Sequence, residues 1–236
     1  MRKGKEIMAG YGIDNIKEWF KNHVAELRVL DDDAQVLIWK QPGTRMCEID
    51  FVFYKNMVYI TGDMRDAVFN TTWRTSWDCN NGWRIGLYYF AEKLSCAKYG
   101  KYTWDSKEAV KYLAGEYRQE FGGNDDEYIE TISYIKDQHI EDVYDFEMIE
   151  IPHKEKFDDD SVLLQMCLAI NYANESSSSE EFAQNINLCS DFEDFNDFWE
   201  WGYSCGRVLN PDIEVYLIAL QMAYDQLSNK EVNVND

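Results

Sequence analysis

The chain is poor in the residues that mark linkers, membrane segments and metal sites. Its 236 residues include 3 Pro, 13 Gly and 3 His. So little Pro and Gly excludes a low-complexity linker, and no apolar run approaches the roughly 18 residues of a membrane-spanning helix. The basic residues 1–5 are not followed by the apolar stretch of a signal peptide, so we expect a cytoplasmic protein.

The residues that usually build active sites are also scarce or scattered. No histidine stands in an H-E-x-x-H pattern, no C-x-x-C pair occurs, and the glycine motifs of phosphate-binding loops are missing. A G-x-S-x-G spacing occurs at residues 202–206, but the sequence places no recognisable base beside its serine. We therefore expect reduced, partly buried thiols, no metal, no cofactor and a binding protein rather than an enzyme. The scattered residues are Cys47, Cys79, Cys96, Cys167, Cys189, Cys205, His23, His139 and His153.

Aromatic and acidic residues, by contrast, are abundant. Hydrophobic residues make up 45% of the chain and aromatic residues 15%, which indicates a folded protein. Residues 1–124 contain 18 Lys+Arg and 17 Asp+Glu, whereas residues 125–236 contain 5 and 27. The change falls near Gly122–Asn124. It suggests a charge-balanced α+β subdomain over 1–124 and an acidic, mainly helical one over 125–236, although a single continuous domain remains equally open.

Residue spacing in the first half predicts a small antiparallel sheet. Apolar residues from Ile16 to Leu27 recur at helical spacing and predict an initial helix. Strands are predicted over 36–39, over 47–54 and 57–60 with a turn at Lys55–Asn56, and over 67–73. The sheet is expected within residues 34–77.

The rest of the chain has helical spacing. A helix with Trp83, Leu87 and Leu94 is expected to end near Gly100, and further helices are predicted from Asp105, around 128–135, from Ser161 and from Ser178. A last helix runs from Pro211 to about Leu227. The fold class is therefore α+β, with a small antiparallel sheet in the N-terminal half and a mainly helical C-terminal half.

Two acidic clusters precede predicted helices. Asp158, Asp159 and Asp160 stand before one helix, and Glu180 and Glu181 begin the next. Carboxylates at a helix N-terminus complement its partial positive charge, so capping is the first interpretation. A Mg²⁺ site in a metal-dependent enzyme acting on nucleic acid or nucleotides is the alternative, although three successive residues point in different directions.

The segment 191–201 alternates aromatic and acidic residues. On a helix its aromatic residues share one face and its acids run beside them. Two interpretations stand side by side, a core helix with a solvated acidic face or an acidic-aromatic docking surface. The candidate partner-binding residues here are Asp191, Glu193, Asp194, Phe195, Asp197 and Trp199.

The acidic half has the charge of a nucleic-acid mimic. Duplex DNA carries one negative charge per roughly 1.7 Å of axis, and a compact fold with about twenty excess carboxylates approaches that density. Such a surface is attracted to the basic grooves of nucleic-acid-binding proteins and is repelled by nucleic acid itself. We therefore expect a basic protein partner and no direct binding to nucleic acid.

Two stretches resemble a group of phage and prophage proteins from low-GC and gut bacteria. Residues 53–69, followed by Trp73, match its strand, [ST]-G-D turn and A-V-[FY] strand, and residues 87–95 match its L-x-Y-F-x-x-K-L-[ST] helix. The resemblance covers about residues 34–115 and not the acidic half. Accessory proteins of this kind often inhibit host immunity, as anti-CRISPR and Gabija anti-defence proteins do.

The resemblance and the charge together give a functional hypothesis. The protein is expected to be a phage-encoded inhibitor that binds a defence effector stoichiometrically in the host cytoplasm and covers its basic nucleic-acid-binding surface. A phage structural or regulatory protein with no immune target is a further alternative.

Overall fold

A computed structural model of the protein describes residues 12–140, 142–157, 159–189, 192 and 202–232. The chain forms two compact units, of which the first combines Met1–Lys101 with Leu209–Asp236 and the second is Tyr102–Val208. Each unit has a separate cluster of buried hydrophobic residues. The second unit is therefore an insertion within the sequence of the first. The predicted boundary near Gly122–Asn124 lies elsewhere, inside the second unit.

The first unit contains a six-stranded antiparallel sheet in which each strand pairs with the next one along the chain. Its strands are β1 (Val24–Val29), β2 (Ala34–Lys40), β3 (Ile49–Tyr54), β4 (Met57–Gly62), β5 (Ala67–Asn70) and β6 (Leu94–Ala97). A two-stranded ladder pairs β7 (Tyr102–Trp104) with β8 (Arg207–Leu209). The predicted α+β class is confirmed, as are the strand at 36–39 and the hairpin across Lys55–Asn56.

The described residues form helices in both units. They are α1 (Ile13–Phe20), α2 (Cys79–Trp83), α3 (Leu87–Glu92), α4 (Ser106–Tyr117), α5 (Asp125–Lys136), α6 (Val143–Met148), α7 (Asp160–Glu175), α8 (Ser179–Leu188) and α9 (Pro211–Val232). The helices predicted from Asp105, Ser161, Ser178 and Pro211 are confirmed within a residue or two at their starts.

Two helical predictions in the first half are wrong because strands replace helix ends. Residues Val24 and Leu27 belong to β1, which pairs along its whole length with β2. The helix predicted to reach Gly100 ends at Glu92, and β6 then completes the sheet beside β5. In both places the apolar spacing also fits a strand, and hydrogen bonding to the neighbouring strand of the sheet decides the outcome.

The inner face of the sheet packs on a helix from the end of the chain. In β3, Ile49, Phe51 and Phe53 are fully buried, while the alternate residues lie on the other face. Helix α9 packs against α1, α2, α3 and β1 and is buried almost continuously from Ile213 to Ala223. It is therefore the central helix of the first unit, although its residues lie in the acidic half of the sequence.

The short segment α2 contains a left-handed turn that packs against α9. Asn80, Asn81, Gly82 and Trp83 have φ angles of 51°, 54°, 74° and 60°, a conformation that costs L-residues about 1–2 kcal/mol each. The fully buried Trp83 stabilises it, since its indole N–H donates to the carbonyl of Ser76 at 3.1 Å. The sequence analysis did not predict this turn, although Asn and Gly are the residues that adopt the left-handed conformation most readily.

The second unit is a helical bundle around α7. Residues Leu163 to Ala173 of α7 are mostly buried, and α4, α5, α6 and α8 pack against this helix. The two chain segments that flank the insertion lie side by side in the first unit, where the backbone N–H of Asn210 donates to the carbonyl of Lys101 at 2.9 Å. The side-chain amide of Asn210 donates to the carbonyl of Gly100 at 3.0 Å.

Because those ends meet, we predict that the first unit folds without the insertion. Replacing residues 102–208 with a short Gly-Ser linker should leave the sheet and α9 intact. Circular dichroism and amide chemical-shift dispersion of the shortened protein should show a cooperatively melting α+β fold. An unfolded or aggregated product would show that the first unit depends on the second.

We also predict that Gly82→Ala destabilises the first unit. A Cβ atom at Gly82 would lie 2.1 Å from the Tyr224 ring, at a φ of +74° that L-residues avoid, so the expected loss is about 2–4 kcal/mol of unfolding free energy. Gly86→Ala is the matched control, since Gly86 has a φ of −67° and open space around its Cβ position. Urea unfolding of both variants measures their free energies of unfolding. An equal loss of unfolding free energy in the two variants would contradict the prediction.

Candidate functional site

The negative charge of the protein is concentrated in the helical unit. Residues 102–208 contain 7 Lys+Arg and 26 Asp+Glu, a net charge of −19, whereas the first unit contains 16 and 18, a net charge of −2. The imbalance between the folding units is therefore nearly as large as that between the two halves of the sequence, which carry net charges of +1 and −22.

Helix N-termini account for part of this charge. Each of the helices α4 to α8 has acidic residues at its N-cap or in its first turn, where they complement the helix dipole. These residues are Asp105, Glu108, Asp125, Asp126, Glu127, Asp142, Asp145, Asp159, Asp160, Glu180 and Glu181. In α5 the capping box is complete, since the Asn124 side chain accepts from the N–H of Glu127 and the Glu127 carboxylate accepts from the N–H of Asn124.

Helix stabilisation does not account for the scarcity of bases. The same dipole favours Lys and Arg in the last turn of a helix. Among these five helices only α5 has one there, Lys136. The acids therefore have a structural use at the helix N-termini, while the missing cations leave a net anionic surface that the fold does not require.

The predicted residues Asp159 and Asp160 begin α7. The Asp159 carboxylate accepts from the backbone N–H of Ser161 at 2.8 Å, and this hydrogen bond lowers its pKa. Asp160 forms a 3.3 Å ion pair with Lys154 and stays 69% exposed. The capping interpretation is confirmed for Asp159, and both carboxylates lie at the surface. Asp158 lies outside the described residues.

The predicted residues Glu180 and Glu181 begin α8. The Glu181 carboxylate accepts from the hydroxyl and the backbone N–H of Ser177, and these two hydrogen bonds lower its pKa. The pKa of Glu180 is lowered first by its own backbone N–H. The structure thus brings the four described acids together as two pairs, at the N-termini of successive helices. Asp191, Glu193, Asp194, Phe195, Asp197 and Trp199 lie outside the described residues.

Helix α6 presents exposed apolar residues that the sequence reasoning missed. Tyr144 and Met148 are 67% and 70% exposed although they are large hydrophobic side chains. They stand four residues apart, on the same side of the helix. Phe146 is buried and holds α6 on the core, and Glu147 is exposed. The sequence signal that could have located this helix is Asp142, a capping residue whose carboxylate accepts from the backbone N–H of Asp145 three residues later.

His153 and Lys154 connect α6 with acidic residues of α5 and α7. The Nζ atom of Lys154 lies 4.3 Å from the centre of the Phe146 ring and 3.3 Å from Asp160. The preceding residue, His153, lies 3.1 Å from Glu130 of α5. We call the exposed residues around this turn the α6 surface: Glu130, Tyr144, Glu147, Met148, Asp159 and Asp160.

The histidines and acids of the described residues do not assemble a metal site. Within that part of the chain, no group of three His, Cys, Asp or Glu side chains has a metal-binding arrangement. His23 packs between the Phe20 and Trp39 rings, and His139 lies 3.3 Å from Glu175. Likewise, none of the described helices has the length and hydropathy needed to cross a membrane.

The cysteines are free, as predicted. Cys47 has a φ of 57°, and its carbonyl lies 3.2 Å from Nε2 of the buried His23. Burial raises the pKa of the Cys47 thiol and lowers the pKa of His23, so neither group is in its charged form at neutral pH. Burial also raises the pKa of Cys167 and of Cys205 to about 12. These thiols are therefore protonated rather than activated as nucleophiles.

Comparison with protein families, with curated proteins and with solved structures gives no match.

We predict that Asp159 stabilises α7 through its hydrogen bond rather than its charge. Asp159→Ala removes the acceptor for the Ser161 N–H and should lower the melting temperature of the helical unit by about 4 °C. Asp159→Asn also removes the charge but keeps a capping oxygen, so its melting temperature should stay close to that of the unchanged protein. Thermal melts followed by circular dichroism at 222 nm distinguish the two variants. An equal loss of melting temperature in both would assign the effect to the charge of Asp159.

Proposed function

We propose that the protein is a stoichiometric inhibitor that binds, through its helical unit, the basic nucleic-acid-binding surface of another protein. The observation that carries the proposal is the net charge of −19 on residues 102–208, in which the helices are rarely balanced by C-terminal Lys or Arg. Following the phage resemblance, the proposed target is a bacterial antiviral effector of CRISPR or Gabija type, met in the host cytoplasm.

The size and charge of the helical unit support competition with DNA. A compact unit of 107 residues is roughly 34 Å across. A DNA duplex of that length carries about 20 phosphate charges, close to the net −19 of the unit. A groove lined with Lys and Arg that holds ten base pairs therefore meets a comparable charge over a comparable length.

The α6 surface supports specific rather than purely electrostatic binding. Charge alone accelerates association and is weakened by salt, since the Debye length is about 8 Å at physiological ionic strength. Exposed aromatic and methionine side chains are typical anchors at the centre of protein interfaces. Tyr144 and Met148 provide such anchors, and Glu147 of the same helix supplies an exposed carboxylate beside Met148.

The experiment that tests the proposal is capture of partners from a nuclease-treated bacterial lysate. With the tagged protein at about 50 mM NaCl, we expect mass spectrometry to identify proteins with basic nucleic-acid-binding surfaces. Their recovery should fall at least tenfold at about 300 mM NaCl, because the bound carboxylates replace phosphates in salt-sensitive contacts. A purified partner should then lose DNA binding in proportion to the inhibitor added.

Matched charge variants assign the effect to the helical unit. The triple variant Glu130→Gln, Glu147→Gln, Asp160→Asn should weaken capture at low salt. The control, Asp14→Asn, Asp32→Asn, Glu92→Gln, removes three exposed charges from the first unit and should not. Salt-insensitive capture, or equal loss in the two variants, would contradict the proposal.

A further inference from the structure

A cleft lies at one end of the sheet in the first unit. It has a volume of about 490 Å³ and is formed by the β1–β2 turn, the β3–β4 turn and the loop that follows β5. This volume falls within the roughly 300–1,000 Å³ of small-molecule sites, and the cleft is shallow and widely open to solvent. The lining residues are Asp33, Lys55, Asn56, Thr71, Thr72, Trp73 and Arg74.

Hydrogen bonds between the three loops hold the cleft in shape. The backbone N–H of Lys55 donates to the carbonyl of Asp33 at 3.2 Å, and that of Thr71 donates to the carbonyl of Asn56 at 2.8 Å. The hydroxyl of Thr75 donates to the carbonyls of Lys55 and Met57. Thr71 and Thr75 are themselves buried. The loops therefore form one preorganised rim, which lowers the entropic cost of binding a ligand.

The cleft is basic and aromatic in a strongly acidic protein. Lys55 and Arg74 line it together with one acid, Asp33, which pairs with Arg74 at 2.9 Å. The Trp73 ring stacks on Tyr89 with 5.9 Å between ring centres and 13° between planes. The Nζ atom of Lys93 lies 4.3 Å from the centre of the Tyr89 ring and 5.8 Å from that of Trp73. The local charge is thus positive beside an indole that is already held in place.

From this juxtaposition we propose that the cleft binds a mononucleotide. Lys55 and Arg74 bind the phosphate as charge-assisted donors, the base stacks against Trp73, and Asn56 and Thr72 provide polar groups between them. A long nucleic acid is disfavoured because it meets the whole −21 charge of the chain. A mononucleotide adds about two negative charges and is repelled far less. The site lies in the first unit and does not rest on the proposed inhibitor function.

Calorimetry and tryptophan fluorescence of the full-length protein test this site with AMP, GMP, CMP and UMP. We expect at least one of these nucleotides to bind saturably, with a Kd below about 1 mM. Adenosine and guanosine test the need for phosphate, and inorganic phosphate tests the need for a ring; each should bind at least tenfold more weakly than the best nucleotide. No saturable binding of any nucleotide, or equal binding of nucleoside or phosphate, would overturn the proposal.

Variants locate the binding in the cleft. Lys55→Asn removes the charge and tolerates the φ of +53° at this position, and it should weaken nucleotide binding at least tenfold. Lys40→Asn is its control, because Lys40 ends β2 roughly 20 Å from the Asp33 end. Trp73→Leu should weaken binding by a similar factor, whereas Tyr203→Leu, at an exposed aromatic of the helical unit, should not.

Arg74→Gln provides a second charge variant if Trp73→Leu does not fold, as judged by circular dichroism. Nucleotide binding that survives both Lys55→Asn and Arg74→Gln would place the ligand elsewhere and overturn the assignment.

Discussion

The architecture depends on the return of α9 to the sheet that precedes the insertion. Asp212, in the first turn of α9, is buried, and its carboxylate accepts from Arg65 at 2.7 Å. The hydroxyl of Tyr216 donates to the carbonyl of Arg65 at 2.6 Å. A buried carboxylate is costly unless it is paired and hydrogen-bonded, so these contacts fix where α9 begins. Since Asn210 also joins the chain to Lys101, the whole insertion must start and end at one place.

Local patterns in the sequence predict the elements whose causes are local. The alternation in β3 and the caps Asp105, Asp159 and Ser178 are visible in short windows, and the structure has them where they were expected. The strand β1 could not be recognised in this way, because its apolar spacing also fits a helix and its partner β2 decides the matter. The same holds for β6, whose partner β5 lies more than twenty residues earlier.

The division into units could not be read from the charge. Residues 102–124 hold 3 Lys+Arg and 4 Asp+Glu, so the start of the helical unit resembles the balanced first half. Helix α9 lies in the acidic half of the sequence but belongs to the first unit. Of the candidate site, the sequence predicted the acidic character and the cap at Asp159. It did not predict the exposed Tyr144 and Met148, because exposure of an apolar side chain depends on which helix faces are left uncovered.

The two units also differ in how they combine charge with apolar surface. In the helical unit, the exposed Tyr144 and Met148 share α6 with Asp145 and Glu147, whereas in the first unit Trp73 and Tyr89 lie near lysines and an arginine. The helical unit therefore suits a cationic protein groove, and the end of the sheet suits a small anion with a planar ring.

The insertion also sets the order in which the protein emerges from the ribosome. After β6, a further 110 or so residues must be translated before α9 begins, which takes roughly 5–20 s at ordinary elongation rates. During that interval the hydrophobic core that holds Phe51 and Phe53 has α1, α2 and α3 but lacks α9, while the intervening segment contains all the parts of its own core. The helical unit can therefore complete its folding first, while the sheet of the first unit still lacks α9.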